Sequence, residues 1–242
     1  MKKSIDKNNL KILFFTDIHQ NIEGVKKIPF ERYDLILCGG DILDPTKPDI
    51  REAQKIIDLL PKDTIIVPGN CDKGKDIIDL INSLNNIHKR NIEIDGINLI
   101  GIGFSRSLKE DLIYYRNWFT EDQSRIWTYL KESSNRFILE ACGIKVDASS
   151  NITTMPIDDS LKNMKGLIDK FDFFLEDELT DLFKNVKSTN FSIIMTHSPP
   201  FGMLDKLPGL PNIGSISITN IIKSVMPKLV LCGHFHENVG VM

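Results

Sequence analysis

Short runs of consecutive apolar residues recur along the chain, and each ends at a polar or glycine-rich turn. The runs are Lys11–Thr16, Asp34–Cys38, Thr64–Val67, Phe191–Thr196 and Lys228–Cys232. Apolarity that is continuous rather than alternating is typical of strands covered on both faces. Helical spacing of apolar residues appears between some of the runs, in Ile50–Leu60 and Ile77–Leu84. Near Ile92–Ile102 the pattern alternates around Asp95-Gly96, which predicts a hairpin. The chain is therefore predicted to be an α/β layered protein with some antiparallel strands.

The middle of the chain follows a different pattern. From Phe104 to about Val186 the strand periodicity fades and helical spacing dominates. Leu167–Val186 is predicted to be an amphipathic helix that packs on the main core, and Asn151–Ser160 is predicted to be a flexible loop. We therefore interpret residues 1–242 as one domain, with 104–186 as a mostly helical insertion or cap.

Composition disfavours several classes of protein, without excluding a nucleic-acid-binding protein that carries a local basic patch. A hydrophobic content of 41% and a charged content of 26% are ordinary for a globular chain of 242 residues, and a net charge of −3 supplies no basic field for nucleic acid. No apolar run approaches the roughly 20 residues of a membrane span, and no apolar segment follows the N-terminal lysines as in a secretory signal. The four cysteines form no C-x-x-C pair. These features predict a cytoplasmic protein with reduced thiols.

Polar side chains follow each of the apolar runs. Asp17 and His19 follow the first, Gly39-Gly40-Asp41 the second and Gly69-Asn70-Cys71-Asp72 the third, while His197 and Gly233–His236 follow the last two. Loops at the carboxyl ends of strands in open α/β sheets meet in one crevice. We therefore expect these polar side chains to lie together.

Histidine is concentrated at the same positions. Four of the five histidines (His19, His197, His234 and His236) lie at predicted strand ends, and His88 is the exception. Burying them with two aspartates and an asparagine would be costly unless a cation neutralised the group. Imidazoles and carboxylates are good ligands for Mn, Fe, Ni, Co or Zn. Seven such side chains exceed what one ion needs and suit two ions that share a carboxylate.

Five short blocks carry a resemblance to a known family. They are DIH (Asp17–His19), GGD (Gly39–Asp41), GNCD (Gly69–Asp72), THSPP (Thr196–Pro200) and GHFH (Gly233–His236). In this order they resemble the signature of the calcineurin-like metallophosphoesterases, and in particular small prokaryotic phosphoesterases related to the cyclic-nucleotide phosphodiesterase branch. The resemblance is strong at both ends of the chain and is absent from Phe104 to Val186. It implies a two-sheet β-sandwich flanked by helices in four αββα layers.

The resemblance also implies a ligand set. One metal would be held by Asp17, His19, Asp41 and His236, and a second by Asp41, Asn70, His197 and His234, with Asp41 bridging. Two divalent transition metals, with manganese favoured, would make a bridging hydroxide available near neutral pH and polarise the phosphoryl oxygens. In this interpretation the catalytic residues are Asp41, Asn70, His197 and Asp72, with Asp72 orienting a neighbouring ligand without binding metal itself.

Cys71 departs from the family pattern, in which a histidine commonly occupies this position. A thiol with a reference pKa of about 8.5 cannot supply the positive charge of an imidazolium. Cys71 is therefore predicted to line the substrate site without transferring a proton; a weak phosphate contact and redox sensing are the alternatives. The missing histidine favours phosphodiesters with good leaving groups over alkyl monoesters.

Two further segments are candidates for the substrate wall. Arg106 is a candidate phosphate ligand, although a solvated arginine is an equal alternative. The Gly- and Pro-bearing loop Gly202–Ser215 is predicted to be a mobile wall of the site.

The predicted activity is hydrolysis of a small or nucleotide-like phosphate ester. A nuclease of the same fold is the main rival, which the acidic balance disfavours. The other rival is a metallophosphoesterase-like scaffold without catalysis. Such a scaffold would be expected to have lost ligands, whereas all seven ligand positions are filled here. Family members usually continue past GHFH with one or two strands, so an unpaired sheet edge is expected here. Such an edge would weaken stability or favour oligomerisation, and the sequence leaves the oligomeric state open.

Overall fold

The computed structural model describes residues 9–106, 108–132, 137–163, 173–174, 176–186 and 191–236. The strands found there are β1 (Ile12–Phe15), β2 (Leu35–Cys38), β3 (Ile65–Ile66), β4 (Asn85–Asn86), β5 (Arg90–Ile94), β6 (Ile97–Ile102), β7 (Ser105–Arg106), β8 (Ile144–Val146), β9 (Ile152–Thr154), β10 (Phe173–Phe174), β11 (Ser192–Thr196) and β12 (Leu229–Leu231). The helices are α1 (Ile22–Val25), α2 (Ile50–Leu59), α3 (Lys75–Ile81), α4 (Leu108–Glu121), α5 (Ser124–Glu132), α6 (Phe137–Ala141), α7 (Ile157–Asn163), α8 (Glu176–Phe183) and α9 (Ile216–Val225), with a 3₁₀ turn at Phe30–Arg32.

Two four-stranded sheets form the centre of the molecule. The first has the order β1-β2-β3-β4 and is parallel throughout. The second has the order β12-β11-β6-β5, in which only the β5–β6 pair is antiparallel. Within the described residues, β12 is therefore an edge strand.

Side chains from alternate positions of the same strand enter different layers. Leu37 of β2 and Ile193 of β11 pack in the core between the two sheets. Cys38 points to the other face of the first sheet, where α1, α2 and α3 cover it. Ile194 likewise faces α8 and α9 on the outer side of the second sheet. Both faces of each sheet are covered, which explains the continuous apolar runs. The predicted four-layer αββα sandwich is confirmed.

The predicted hairpin is also confirmed. Ile94 of β5 pairs with Ile97 of β6, which leaves Asp95 and Gly96 as a two-residue loop. Their φ angles are 48° and 73°. Positive φ at both central positions is the geometry of the turn that matches strand twist, and Asp-Gly adopts it readily.

The segment predicted to be a mostly helical insertion contains α4 to α8, but it also contains short strands. The prediction of a flexible loop at Asn151–Ser160 is wrong, because Ile152–Thr154 pairs antiparallel with β8 and Ile157 begins α7. Asp147 stabilises the turn of this hairpin by accepting from the backbone N–H groups of Ser149 and Asn151, each at 2.8 Å. Strands of three residues are too short to produce a recognisable alternation.

The helix predicted over Leu167–Val186 is shorter than expected. Phe173–Phe174 forms strand β10 and the described helix spans Glu176–Phe183, while residues 167–172 and 175 lie outside the described residues. Leu179 and Phe183 are buried against α9, which agrees with the predicted packing on the main core. No helix in the described part of the chain is both long and apolar enough to span a bilayer.

Candidate metal centre

The loops that follow β1 and β2 are joined along their backbones. The N–H groups of Asp17, His19 and Gln20 donate to the carbonyls of Gly40, Asp41 and Ile42 at 2.9–3.0 Å. The loop after β3 approaches as closely, because a Cβ at Gly40 would collide with the backbone of Gly69. The glycines of the second and third blocks therefore allow three strand-end loops to meet.

Several predicted ligands lie in left-handed backbone conformations. Asp17, His19, Asp41 and His234 have φ angles of 54°, 44°, 55° and 75°. Residues other than glycine adopt this region rarely, at a cost that surrounding contacts must offset, and such residues cluster at functional sites. These backbone conformations orient the side chains of the predicted ligands towards one region.

One group of predicted ligands lies towards solvent, and we call it the open half. His236 Nε2 lies 3.3 Å from Asp17 Oδ1 and 3.2 Å from His19 Nε2. The side chain of His236 is 57% exposed, and that of His19 is 21% exposed. Donor atoms of all three residues lie within 4.8 Å of one another, which is a spacing that can hold one cation.

The other group is enclosed, and we call it the buried half. It consists of Asp41, Asn70 and His197, which are 3%, 7% and 0% exposed. His197 Nε2 lies 2.8 Å from Asn70 Oδ1 and 3.5 Å from Asp41 Oδ2. Asp41 Oδ2 also lies 3.9 Å from His19 Nε2 in the open half. Asp41 is thus the carboxylate that both halves approach.

Hydrogen bonds to the backbone fix how the two histidines present their nitrogens. Nδ1 of His197 lies 2.8 Å from the carbonyl oxygen of Gly39, and Nδ1 of His19 lies 3.0 Å from that of Leu43. A carbonyl only accepts, so each Nδ1 carries the hydrogen and donates it. In the neutral ring the Nε2 atoms then present lone pairs to the cluster, as metal-ligating histidines do.

This arrangement fits a divalent metal. The lone pair of His197 Nε2 faces Asn70 Oδ1 and Asp41 Oδ2, so three acceptor atoms converge in a buried place. Acceptors without an intervening donor repel one another, and a cation between them removes that cost. The mixed nitrogen and oxygen donors suit transition metals such as Mn, Fe, Co, Ni or Zn.

The electrostatic environment of Asp17 agrees with the same interpretation. Burial acts to raise its pKa, but nearby His197 and the backbone N–H of His234 outweigh burial, and the pKa lies below its ordinary value. For His234, burial and the neighbouring His197 lower the pKa to about 4. A carboxylate that stays ionised and an imidazole that stays neutral are the ligand forms that a metal requires.

His234 lies close to both halves. Its ring centroid is 5.1 Å from that of His197, and its backbone N–H donates to Asp17 Oδ2 at 3.1 Å. The sequence predicted it as a ligand beside His197, and the structure brings it there.

Asp72 joins the backbone of two ligand-bearing loops. Its Oδ1 accepts from the N–H groups of Ile42 and Leu43 at 2.8 and 3.0 Å, and its Oδ2 accepts from Gly69 at 2.9 Å. Burial and the nearby Asp41 carboxylate raise the pKa of Asp72, while the N–H donors of Gly69 and Leu43 oppose them. The side chain is fully buried and fully engaged, so it holds the loops that carry Asp41 and Asn70.

Cys71 lies between the halves. Its Sγ lies within 4.8 Å of donor atoms of His19 and Asp41, and its backbone N–H donates to Asp41 Oδ1 at 2.8 Å. Burial and the Asp41 carboxylate raise the pKa of the thiol well above its usual value. A nucleophilic thiolate is therefore disfavoured at neutral pH.

Two predicted wall elements make defined contacts elsewhere. Arg106 is buried in β7, and its Nε donates to Asp111 Oδ1 at 2.5 Å within an ion pair. In the loop Gly202–Ser215, buried Asp205 accepts from the N–H groups of Gly202 and Gly214 at 2.9 and 2.8 Å. The loop also contributes Leu207, Leu210 and Ile213 to the core of the insertion.

Sequence reasoning missed the residues that act through their backbone or their packing. The carbonyls of Gly39 and Leu43 orient His197 and His19, and no side-chain pattern could have revealed them. Phe235, between two predicted ligands, packs into the insertion core. A large apolar residue in the middle of a polar block was the available signal.

A family model described as calcineurin-like phosphoesterase matches residues 10–238, which include every predicted ligand. The chain belongs to the calcineurin-like phosphoesterase family. Among curated proteins, an uncharacterised protein of Methanocaldococcus jannaschii is 23% identical over 236 residues, which are 95% of this chain and 81% of that protein. The metallophosphoesterase domain-containing protein 1 of Homo sapiens and that of Mus musculus are each 37% identical over 60 residues, only 24% of this chain and 18% of theirs. Membership of the calcineurin-like family supports metal-dependent hydrolysis of phosphoesters, for which a small-molecule phosphoester is a fitting substrate.

Proposed function

We propose that this calcineurin-like phosphoesterase is a dinuclear metal-dependent phosphodiesterase that acts on a small or nucleotide-like substrate in the cytoplasm. The observation that carries the proposal is the convergence of the two halves on Asp41, whose Oδ2 lies 3.5 Å from His197 Nε2 and 3.9 Å from His19 Nε2. One shared carboxylate with histidines on both sides is the donor arrangement that suits two ions.

The proposed ligand sets follow this geometry. Asp17, His19, Asp41 and His236 would hold one ion, and Asp41, Asn70, His197 and His234 would hold the other. Bound divalent ions supply a water of lowered pKa and positive charge for the phosphoryl oxygens, and manganese is the favoured metal. Asn70 contributes a neutral oxygen, which adds no negative charge where an anionic phosphate must approach.

The remaining side chains act by positioning. Asp72 holds the backbone beneath Asp41 and Asn70 through its three accepted hydrogen bonds. The carbonyl of Gly39 holds the ring of His197. The 104–186 segment is proposed as a cap over this edge, and Arg106 as a phosphate ligand whose use requires Asp111 to share or release the guanidinium.

The preference for diesters rests on Cys71. Its thiol faces the cluster, and burial with the Asp41 carboxylate raises its pKa, so it carries no positive charge and protonates a leaving group poorly. Esters with good leaving groups depend least on such protonation. Small diesters of this kind are therefore the favoured substrate class.

Metal analysis and a substrate panel test the proposal. Protein stripped with a chelator is titrated with Mn, Co, Ni and Zn, and about two equivalents per chain are expected. Hydrolysis of bis-p-nitrophenyl phosphate should then exceed that of p-nitrophenyl phosphate, and cyclic nucleotides and nucleotide diesters extend the panel. The variant Asp41→Ala should lose bound metal and hydrolysis. Its matched control is Asp58→Ala, which removes an exposed acid on α2.

Each alternative has its own outcome. Absence of metal binding and of hydrolysis would indicate a scaffold. Faster cleavage of the monoester would overturn the diester preference while leaving the metal centre intact. Efficient cleavage of DNA or RNA would indicate a nuclease.

A further inference from the structure

The GHFH block contains a strained turn. His234 has a φ of 75°, and the N–H of Phe235 donates to the carbonyl of Gly233 at 3.0 Å. A hydrogen bond between residues two apart around a central residue of positive φ defines the rarer and more strained form of the γ-turn. Such a conformation persists only where the surroundings hold it.

Polar contacts hold one side of this turn. The N–H of His234 donates to Asp17 Oδ2 at 3.1 Å, and the N–H of Gly233 donates to the carbonyl of His197 at 2.9 Å. These bonds fix the backbone that leads into the turn. They do not reach the residue after His234, which must still be kept from relaxing.

Phe235 supplies an apolar contact on the other side. Its partly buried ring packs against a cluster formed by the insertion and by the loop after His197. We call this the insertion cluster; its buried members are Leu112, Tyr115, Phe119, Ile126, Tyr129, Leu139, Ala141, Cys142, Ile144, Leu210 and Ile213. The ring centroid of Phe235 also lies 4.7 Å from that of His234. An aromatic side chain thus links the strained turn to the core of the insertion.

We propose that Phe235 is a positioning residue through which the insertion cluster holds His234 and His236 at the metal centre. The proposal rests on the proposed metal centre, because its consequence is measured on the ligands of that centre. Burying part of an aromatic ring contributes favourable free energy, which offsets part of the cost of a strained backbone residue.

Removing the ring should release the turn. Without this anchor, His234 can return to negative φ. The side chains of His234 and His236 are then no longer oriented towards the same metal centre. The exposed His236 is affected most, because its contacts to Asp17 and His19 are few. The insertion would then contribute to metal binding although none of its own residues is a predicted metal ligand.

The test compares Phe235→Ala with Phe235→Leu and with Leu179→Ala. Leu179 is 0% exposed in α8 and packs in the cluster on the outer side of the second sheet, outside both the turn and the insertion cluster. Mn²⁺ affinity is measured by calorimetry, and amide hydrogen exchange of residues 233–236 is measured on metal-free protein. Phe235→Ala should weaken Mn²⁺ binding by about tenfold or more, in the range found for residues that orient ligands, and accelerate exchange in the turn.

The controls separate positioning from general stability. Phe235→Leu should recover most of both properties, whereas Leu179→Ala should lower Tm and leave both unchanged. Wild-type affinity and exchange in Phe235→Ala would overturn the proposal, as would equal effects of Leu179→Ala. Failure of the wild-type protein to bind any of Mn, Co, Ni and Zn would refute the proposed function, and the exchange comparison would still decide whether Phe235 anchors the turn.

Discussion

The two halves of the candidate metal centre use similar ligand types in opposite surroundings. In the buried half, the side chains of His197 and Asp41 are 0% and 4% exposed, and backbone groups hold them. In the open half, the side chain of His236 is 57% exposed and lies against Asp17 and His19, two other predicted ligands. Burial makes the first half part of the protein core, whereas the second half depends more on the cation that it would hold.

The largest effect is expected where the halves meet. Asp41→Ala removes the carboxylate that both histidines approach, so both ions lose a ligand. Activity should fall by about 1000-fold or more, and bound metal should fall well below two equivalents. Metal analysis measures the bound ions, and phosphodiester hydrolysis measures the activity. If Asp41→Ala retained both ions, Asp41 would not be the carboxylate that they share.

Replacing one histidine in each half compares core with surface. His197→Ala should destabilise metal-free protein by about 2–4 kcal/mol, because it leaves a cavity and an unpaired Gly39 carbonyl. His236→Ala should change stability by less than about 0.5 kcal/mol, as is usual for exposed positions. Both variants should bind metal less tightly. Urea denaturation without metal gives the stabilities, and equal losses would contradict the distinction between the halves.

Replacing Asp72 tests whether a residue that is not itself a predicted ligand keeps the ligands of the buried half in place. Asp72→Asn keeps the side-chain volume. Its NH₂ group, however, replaces a carboxylate oxygen that accepts from backbone N–H groups in the wild-type protein, so a donor would face a donor. Metal affinity should fall about 10- to 100-fold, as for residues that orient ligands. Calorimetric titration measures the affinity, and an unchanged value would show that the loops hold their shape without this carboxylate.

His88 provides a histidine outside both halves for a pH comparison. Its Nδ1 accepts from the N–H of Gly103 at 2.8 Å, and burial with neighbouring Lys89 lowers its pKa to about 4, against a smaller opposing effect of Glu178. The neutral ring is favoured on folding, so its contribution is present above about pH 6.5 and is lost as pH falls towards 4. His88→Gln should flatten this acid loss by up to about 3 kcal/mol, measured as the difference in unfolding free energy from wild type. A profile unchanged by the substitution would assign the acid loss to the cluster histidines.

The smallest effect is expected at the thiol between the halves. Cys71→Ala should leave activity within about tenfold of wild type, because the raised pKa of the thiol argues against a nucleophile. Kinetics with the bis ester measure this. Complete loss of activity in a folded, metal-loaded variant would restore a catalytic thiol.

Much of the fold and of the site could be predicted because the relevant signals are local. The apolar runs that became β1, β2 and β11 are continuous, since both faces of each sheet are covered. Asp-Gly at positions 95 and 96 specified its own turn. The β8–β9 hairpin was missed because strands of three residues carry too little periodicity, and its turn at Asp147 depends on hydrogen bonds that composition does not reveal.

The sequence by itself determined which strands are buried and which polar residues follow them, because these properties depend on neighbouring residues and on side-chain chemistry. Only the tertiary structure decided that Asp41 lies between a buried and an open half, that carbonyls orient His197 and His19, and that Phe235 ties the GHFH turn to the insertion. The physical reason is distance along the chain. His236 meets His19 across 217 residues and His197 meets Asn70 across 127, and packing of the whole fold determines such contacts.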